Sequence, residues 1–137
     1  MIVYVDTSVV LKVLLRQPGA LRNWDRWSEA FSSELLKVEA RRVIDRLRLG
    51  MHLDDEGVAR AHEELVGIER AIGFIEVNRR VLSRAAGPMP TAVKTLDAIH
   101  LASALLLAER RPKPPRFATH DHQQSLAARA LGFRGVD

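Results

Sequence analysis

Four carboxylates are spaced along this chain so that chemistry is the simplest reason for them. Asp6 follows the apolar run Ile2-Val3-Tyr4-Val5 and precedes two hydroxyl residues, Thr7 and Ser8. Glu39 lies between Leu36 and Val43 on a segment of helical period, at the edge of its apolar stripe. Asp97, with His100, is an exception in Leu96–Glu109, a segment apolar nearly all round. Asp121 follows the short apolar run Phe117-Ala118-Thr119. Each acid alone has an ordinary use. Asp121 can cap a helix, and Asp97 can favour the positive end of a helix dipole. Glu39 can pair with Arg42 or Arg46 at the surface. Asp6 is different, because an acid at the end of a buried strand points into the crevice where α/β sheets bind ligands. Brought together, the four repel and raise one another's pKa values. A bound cation relieves that repulsion. Oxygen donors favour hard ions, so Mg²⁺ is expected, with Mn²⁺ as a substitute. One ion, or two about 4 Å apart, would serve phosphodiester cleavage by activating water and stabilising the leaving oxygen.

The elements that must position these acids follow from pattern. Met1–Val5 reads as a buried strand. A helix follows, capped by Thr7 or Ser8 and reaching about Leu15, and Gln17-Pro18-Gly19 ends it. Leu21, Trp24 and Trp27 recur three apart on a second short helix and are assigned to the core. Ala30–Ser32 is a short strand. Ser32 or Ser33 caps a helix over Glu34–Leu49, with stripe Leu36, Ala40, Val43 and Leu47 and Gly50 at its end. Asp54-Asp55-Glu56 opens the next helix, whose stripe is Val58, Ala61, Leu65, Ile68 and Ile72. Phe74–Val77 is a strand, and Asn78 caps a helix ending near Ala86. Thr95 caps the buried helix Leu96–Glu109. Phe117–Thr119 is a strand, a helix runs from Gln123 to Leu131, and Gly135-Val136 forms a short final strand. Strands alternating with helices imply a parallel sheet covered on both faces.

The chain has 137 residues, with 47% hydrophobic and 28% charged, as expected of a single domain over 1–137 with a real core. It has no cysteine, which excludes disulfides and thiolate metal sites. A net charge of +4 favours polyanions without singling one out. No apolar run is long enough to span a membrane, so a cytoplasmic protein is expected.

Taken in order, Val3-Tyr4-Val5-Asp6-Thr7-Ser8, Ser33–Ala40, Leu96-Asp97-Ala98-Ile99-His100-Leu101-Ala102 and Thr119-His120-Asp121 resemble the four acidic blocks of PIN-domain ribonucleases. Of these the chain is most similar to the VapC-type toxins of type II toxin–antitoxin systems. The resemblance covers essentially the whole chain. It implies a three-layer α/β/α domain with a central parallel sheet of order 3-2-1-4-5, flanked by helices. It implies a Mg²⁺-dependent endoribonuclease that hydrolyses RNA by metal-activated water. Asp6, Glu39, Asp97 and Asp121 would be its catalytic, metal-binding acids, with Ser8 and Thr119 supporting them through hydrogen bonds. It also implies an RNA substrate, a cognate antitoxin protein and a homodimer. The pair Glu34–Leu49 and Asp55–Ile72 resembles the clip that grips an antitoxin.

Arg16, at the end of the first helix, is a candidate contact for RNA phosphate or an antitoxin acid, or a C-terminal dipole partner. His120 and His122 flank Asp121 but lack further zinc ligands. His100 reads as a hydrogen-bonded core histidine. Two other functions fit less of the chain. One is a non-catalytic binding module of the same fold, holding RNA or protein. The other is a phosphotransferase with Asp6 as nucleophile, which would want a second acid at the position of Ser8.

Overall fold

A computed structural model describes residues 1–136, without the side chain of Asp25. The sheet starts with β1 (Ile2–Val5) at its centre. It pairs in parallel with β2 (Glu29–Ser33) on one side and β4 (Arg116–Ala118) on the other, and β2 pairs in parallel with β3 (Gly73–Ile75). The order is β3-β2-β1-β4. The expected fifth strand is reduced to one parallel bridge, Phe117 to Gly135. It lies on the side the 3-2-1-4-5 order requires, but Phe133–Val136 is too short to extend the ladder.

Alternation along β1 divides the core. Val3 and Val5 face α1 (Thr7–Leu14), α2 (Leu35–Leu49) and α3 (Asp55–Ala71), meeting Val9, Leu36, Ile44 and Leu65. Tyr4 faces the other way, toward α5 (Thr95–Glu109) and α6 (His122–Ala130), meeting Leu101, Phe117 and Ala127. Each fully buried Leu or Ile contributes about 1.5–3 kcal/mol. The short α4 (Arg79–Ala85) packs on α5 through Val81, Ala102 and Leu106. Helices therefore cover both faces, as an α/β/α sandwich requires.

Local chemistry sets the element ends, in places differently from expectation. Asp6 itself caps α1, accepting from Ser8 N, because the strand delivers its carboxylate to the open amides. The Leu21–Trp27 segment forms only a 3₁₀ turn at Trp24–Arg26, although Leu21, Trp24 and Trp27 do pack on the core. Glu34 flanks the start of α2 without a capping side-chain bond, and Ser33 Oγ accepts from Leu35 N. Beyond α2 it is Met51, with φ 58°, that turns left-handed, while Gly50 does not. Lys94, not Thr95, flanks α5, and no side chain caps that end. Asn78 and Asp121 cap α4 and α6. The α2–α3 hairpin is clamped by Arg41, whose guanidinium donates to both oxygens of Glu69. Among the described residues no helix is long and apolar enough to cross a membrane.

Candidate active site

The carboxyl ends of β1, β2 and β4 meet the start of α5, and the four acids come from around that edge. Asp6 ends β1 and is 5% exposed. Its Oδ2 accepts from Ser8 N at 3.1 Å and lies 3.2 Å from Thr119 Oγ1. Asp97 is in the first turn of α5, half-buried. Glu39 reaches in from the edge of the buried α2 face, as its place beside Leu36 and Ala40 predicts. It does not pair with Arg42 or Arg46. Its Oε1 accepts from Thr7 Oγ1 at 2.8 Å and is 2.6 Å from His100 Nε2. Asp121 is exposed, and its Oδ1 accepts from Gln124 N at 2.7 Å. The expected cap is therefore real, and it occupies only one carboxylate oxygen.

Ser8 and Thr119 tie the two loops beneath these acids. Ser8 Oγ accepts from His120 N at 2.9 Å and is 3.3 Å from Thr119 Oγ1. Thr119 Oγ1 accepts from Asp121 N at 3.0 Å and has one proton to give, to Asp6 Oδ2 or to Gln124 Oε1 at 2.7 Å. One hydroxyl thus couples Asp6 on β1 to Asp121 at the head of α6.

The electrostatics show how crowded the charge is. Burial lifts the pKa of Asp97 above the usual carboxylate range, and the charges of Asp6 and Asp121 raise it further. Among the described residues, Asp97 accepts no hydrogen bond and joins no ion pair. Burial alone would lower the pKa of His100, but the Glu39 hydrogen bond and the charge of Asp6 carry it above the ordinary value. Burial, then the charge of Asp6, pushes the Tyr4 hydroxyl well up. As the side chains stand, no three acidic or imidazole groups among the described residues close on a common point. The donor set still fits a hard divalent ion. It is all oxygen, and in Asp97 it holds an acid whose ionised form is disfavoured by burial and by the charges of Asp6 and Asp121.

Arg16 is not brought to this edge. It lies at the far end of α1, about 15 Å along the helix from Asp6. There it takes a left-handed backbone, φ 51°, with its guanidinium 3.6 Å from Glu64 of α3. His120 contributes its backbone N–H to Ser8. Sequence reasoning missed Thr7 and Tyr4 as site-building residues, and it placed His100 in the core without its acidic partner. The available signal was the spacing of Asp97 and His100, which are one helical turn apart on α5.

The PIN domain family model matches residues 3–129. Two proteins of Mycobacterium tuberculosis are similar over nearly the full chain. "Ribonuclease VapC46" is 34% identical over 135 residues, covering 96% of this chain and 93% of that protein. "Ribonuclease VapC47" is 29% identical over 145 aligned positions, again covering 96% of this chain and 93% of the relative.

Proposed function

The chain belongs to the PIN-domain family, among its VapC-type ribonucleases, and from that premise we propose that it is a Mg²⁺-dependent endoribonuclease, the toxin of a toxin–antitoxin pair. The observation that carries the reading is the half-buried, unpaired Asp97 facing the charges of Asp6, Asp121 and Glu39. Asp6, Asp97, Glu39 and Asp121 are the residues that would hold the metal. A bound divalent ion supplies water acidified for attack and positive charge for the phosphate and its leaving oxygen.

The protein's own groups do the rest. Thr119 and Ser8 N hold Asp6 in place from one side. Thr7 and His100 hold Glu39 from the other. Asp121, exposed at the rim, has an oxygen that takes no hydrogen bond among the described residues and could orient a water or receive its proton. The substrate is RNA and the expected partner a small antitoxin protein, with Arg16 and the α2–α3 hairpin as candidates to meet it. The working form would be a cytoplasmic homodimer.

The test is cleavage of RNA by purified protein with Mg²⁺, with Mn²⁺ and with EDTA. Cleavage should require the metal and vanish in a folded Asp97→Ala variant. Equal cleavage by that variant would sink the assignment of the site. RNA binding that persists in EDTA, with no cleavage in any metal, would favour a non-catalytic binding module.

A further inference from the structure

His100 is fully buried, yet both its ring nitrogens are engaged by groups from three different elements. Nδ1 lies 2.8 Å from the hydroxyl of Tyr4 on β1. Nε2 lies 2.6 Å from Glu39 Oε1 on α2, 3.3 Å from Thr7 Oγ1 and 3.7 Å from Asp6 Oδ1. Tyr4 is itself fully buried, its ring stacked on Phe117 at 5.2 Å and edge-on to His100 at 6.0 Å. The imidazole therefore has one orientation available, with Tyr4 at one nitrogen and Glu39 at the other.

The consequence falls on Glu39. Its side chain is 22% exposed and, left alone, would sample several rotamers. Here Thr7 Oγ1 and His100 Nε2 converge on the same oxygen, Oε1. Among the described residues Oε2 has no such partner. His100 is also one turn from Asp97 on α5, so one helix both carries Asp97 and fixes where Glu39 can lie.

We infer that His100, backed by Tyr4, is a positioning residue for the reaction: it pins Glu39 by Oε1 and leaves Oε2 as the oxygen free to take a divalent cation. The inference rests on the reading of Glu39 as one of the metal-holding acids. The rival is a tether that only joins α5 to α2. That tether would hold the fold together and have no effect on metal affinity.

The experiment uses the full chain as Tyr4→Phe, His100→Leu, His100→Gln, Glu39→Gln and the pair Glu39→Gln with His100→Leu. The first readout needs no metal. Nitrogen-15 spectra of the histidine rings should show an exchange-protected ring N–H from His100 that shifts in both Glu39→Gln and Tyr4→Phe. A ring signal unmoved by Glu39→Gln overturns the inference, even if the wild type binds no Mn²⁺ and the metal reading itself fails. The second readout is Mn²⁺ binding followed by electron paramagnetic resonance. His100→Leu should weaken binding by roughly 10-fold or more, the scale of losing a residue that orients a ligand. His100→Gln, whose amide nitrogen can stand near Nε2, should recover most of that loss. In RNA cleavage the same variants should lower kcat and leave KM unchanged. His100→Leu should add nothing in the Glu39→Gln background. Wild-type Mn²⁺ affinity in His100→Leu, or an equal further loss in the Glu39→Gln background, overturns the inference. If His100→Leu does not fold, His100→Gln and Tyr4→Phe decide it: a Tyr4→Phe protein with unchanged spectra and Mn²⁺ affinity overturns it, and a shift in both supports it.

Discussion

Asp97 is the residue at which charge is least compensated. Burial and three neighbouring acids disfavour its ionised form, so its folded pKa is raised. An acid shifted this way gives the fold most support below its unfolded value, and that support is lost as pH rises through the folded value. At neutral pH the charge is therefore a strain on the metal-free protein. Asp97→Asn keeps the shape and removes the charge. In EDTA at pH 7 it should melt at a higher temperature than the wild type. Its metal-dependent cleavage should fall by more than the roughly 10- to 100-fold that an outer-shell loss costs. A variant that melts lower in EDTA would contradict the electrostatic picture, and one that still cleaves would contradict the chemical one. Thr119 makes a contrasting case. Its one hydroxyl lies within hydrogen-bond distance of Ser8, Asp6, Gln124 and the Asp121 N–H, and so joins the residues that follow β1 and β4.

At the scale of elements, the sheet depends on close approach at its β3 edge. Gly73 of β3 stands opposite Phe31 of β2. A Cβ built on Gly73 would meet the Phe31 ring at 2.6 Å. That ring is not free to leave, because the Arg111 guanidinium stacks 5.0 Å from its centroid while also pairing with Glu29. Gly73→Ala should therefore destabilise the protein by about 1–3 kcal/mol through overpacking, read as a lower urea midpoint at unchanged slope. The cost should shrink in a Phe31→Ala background. This contact also marks where sequence reading stopped. The parallel α/β plan was legible, because β1 is an unbroken apolar run and α2 and α3 carry helical stripes. The acids were legible as strand-end and helix-start residues, since such positions have local signatures. Strand limits were not: β2 extends to Glu29 because it pairs with Ile2, and nothing near Glu29 announces that. The Tyr4–His100–Glu39 chain was invisible for the same reason. Its members are 96 and 61 residues apart, and only tertiary packing joins them.

For the molecule as a whole, the metal-free stability should fall as pH rises through neutrality. Two groups in this range have shifted values, and they oppose each other. His100 is raised: burial works against it, but the Glu39 bond and the Asp6 charge prevail. A raised histidine stabilises the fold fully below its unfolded value, near 6.5, and loses that contribution as pH climbs through the folded value. His120 is lowered by burial and then by Lys12, and contributes in the opposite sense. It is an exposed side chain, so solvent screens its effect, whereas His100 is fully buried between its partners. His100 therefore sets the sign. Thermal melts in EDTA should move to lower temperature from pH 6 upward, and His100→Gln should flatten that slope. Adding Mn²⁺ at the alkaline end should restore stability, since a ligand that binds only the folded state at a hundredfold excess over Kd adds roughly 2.7 kcal/mol. A cation would then supply at high pH the charge that the imidazolium supplies at low pH. A melting temperature that rises with pH in EDTA, and is unaffected by Mn²⁺, would show that the acids at the sheet edge are not balanced in this way.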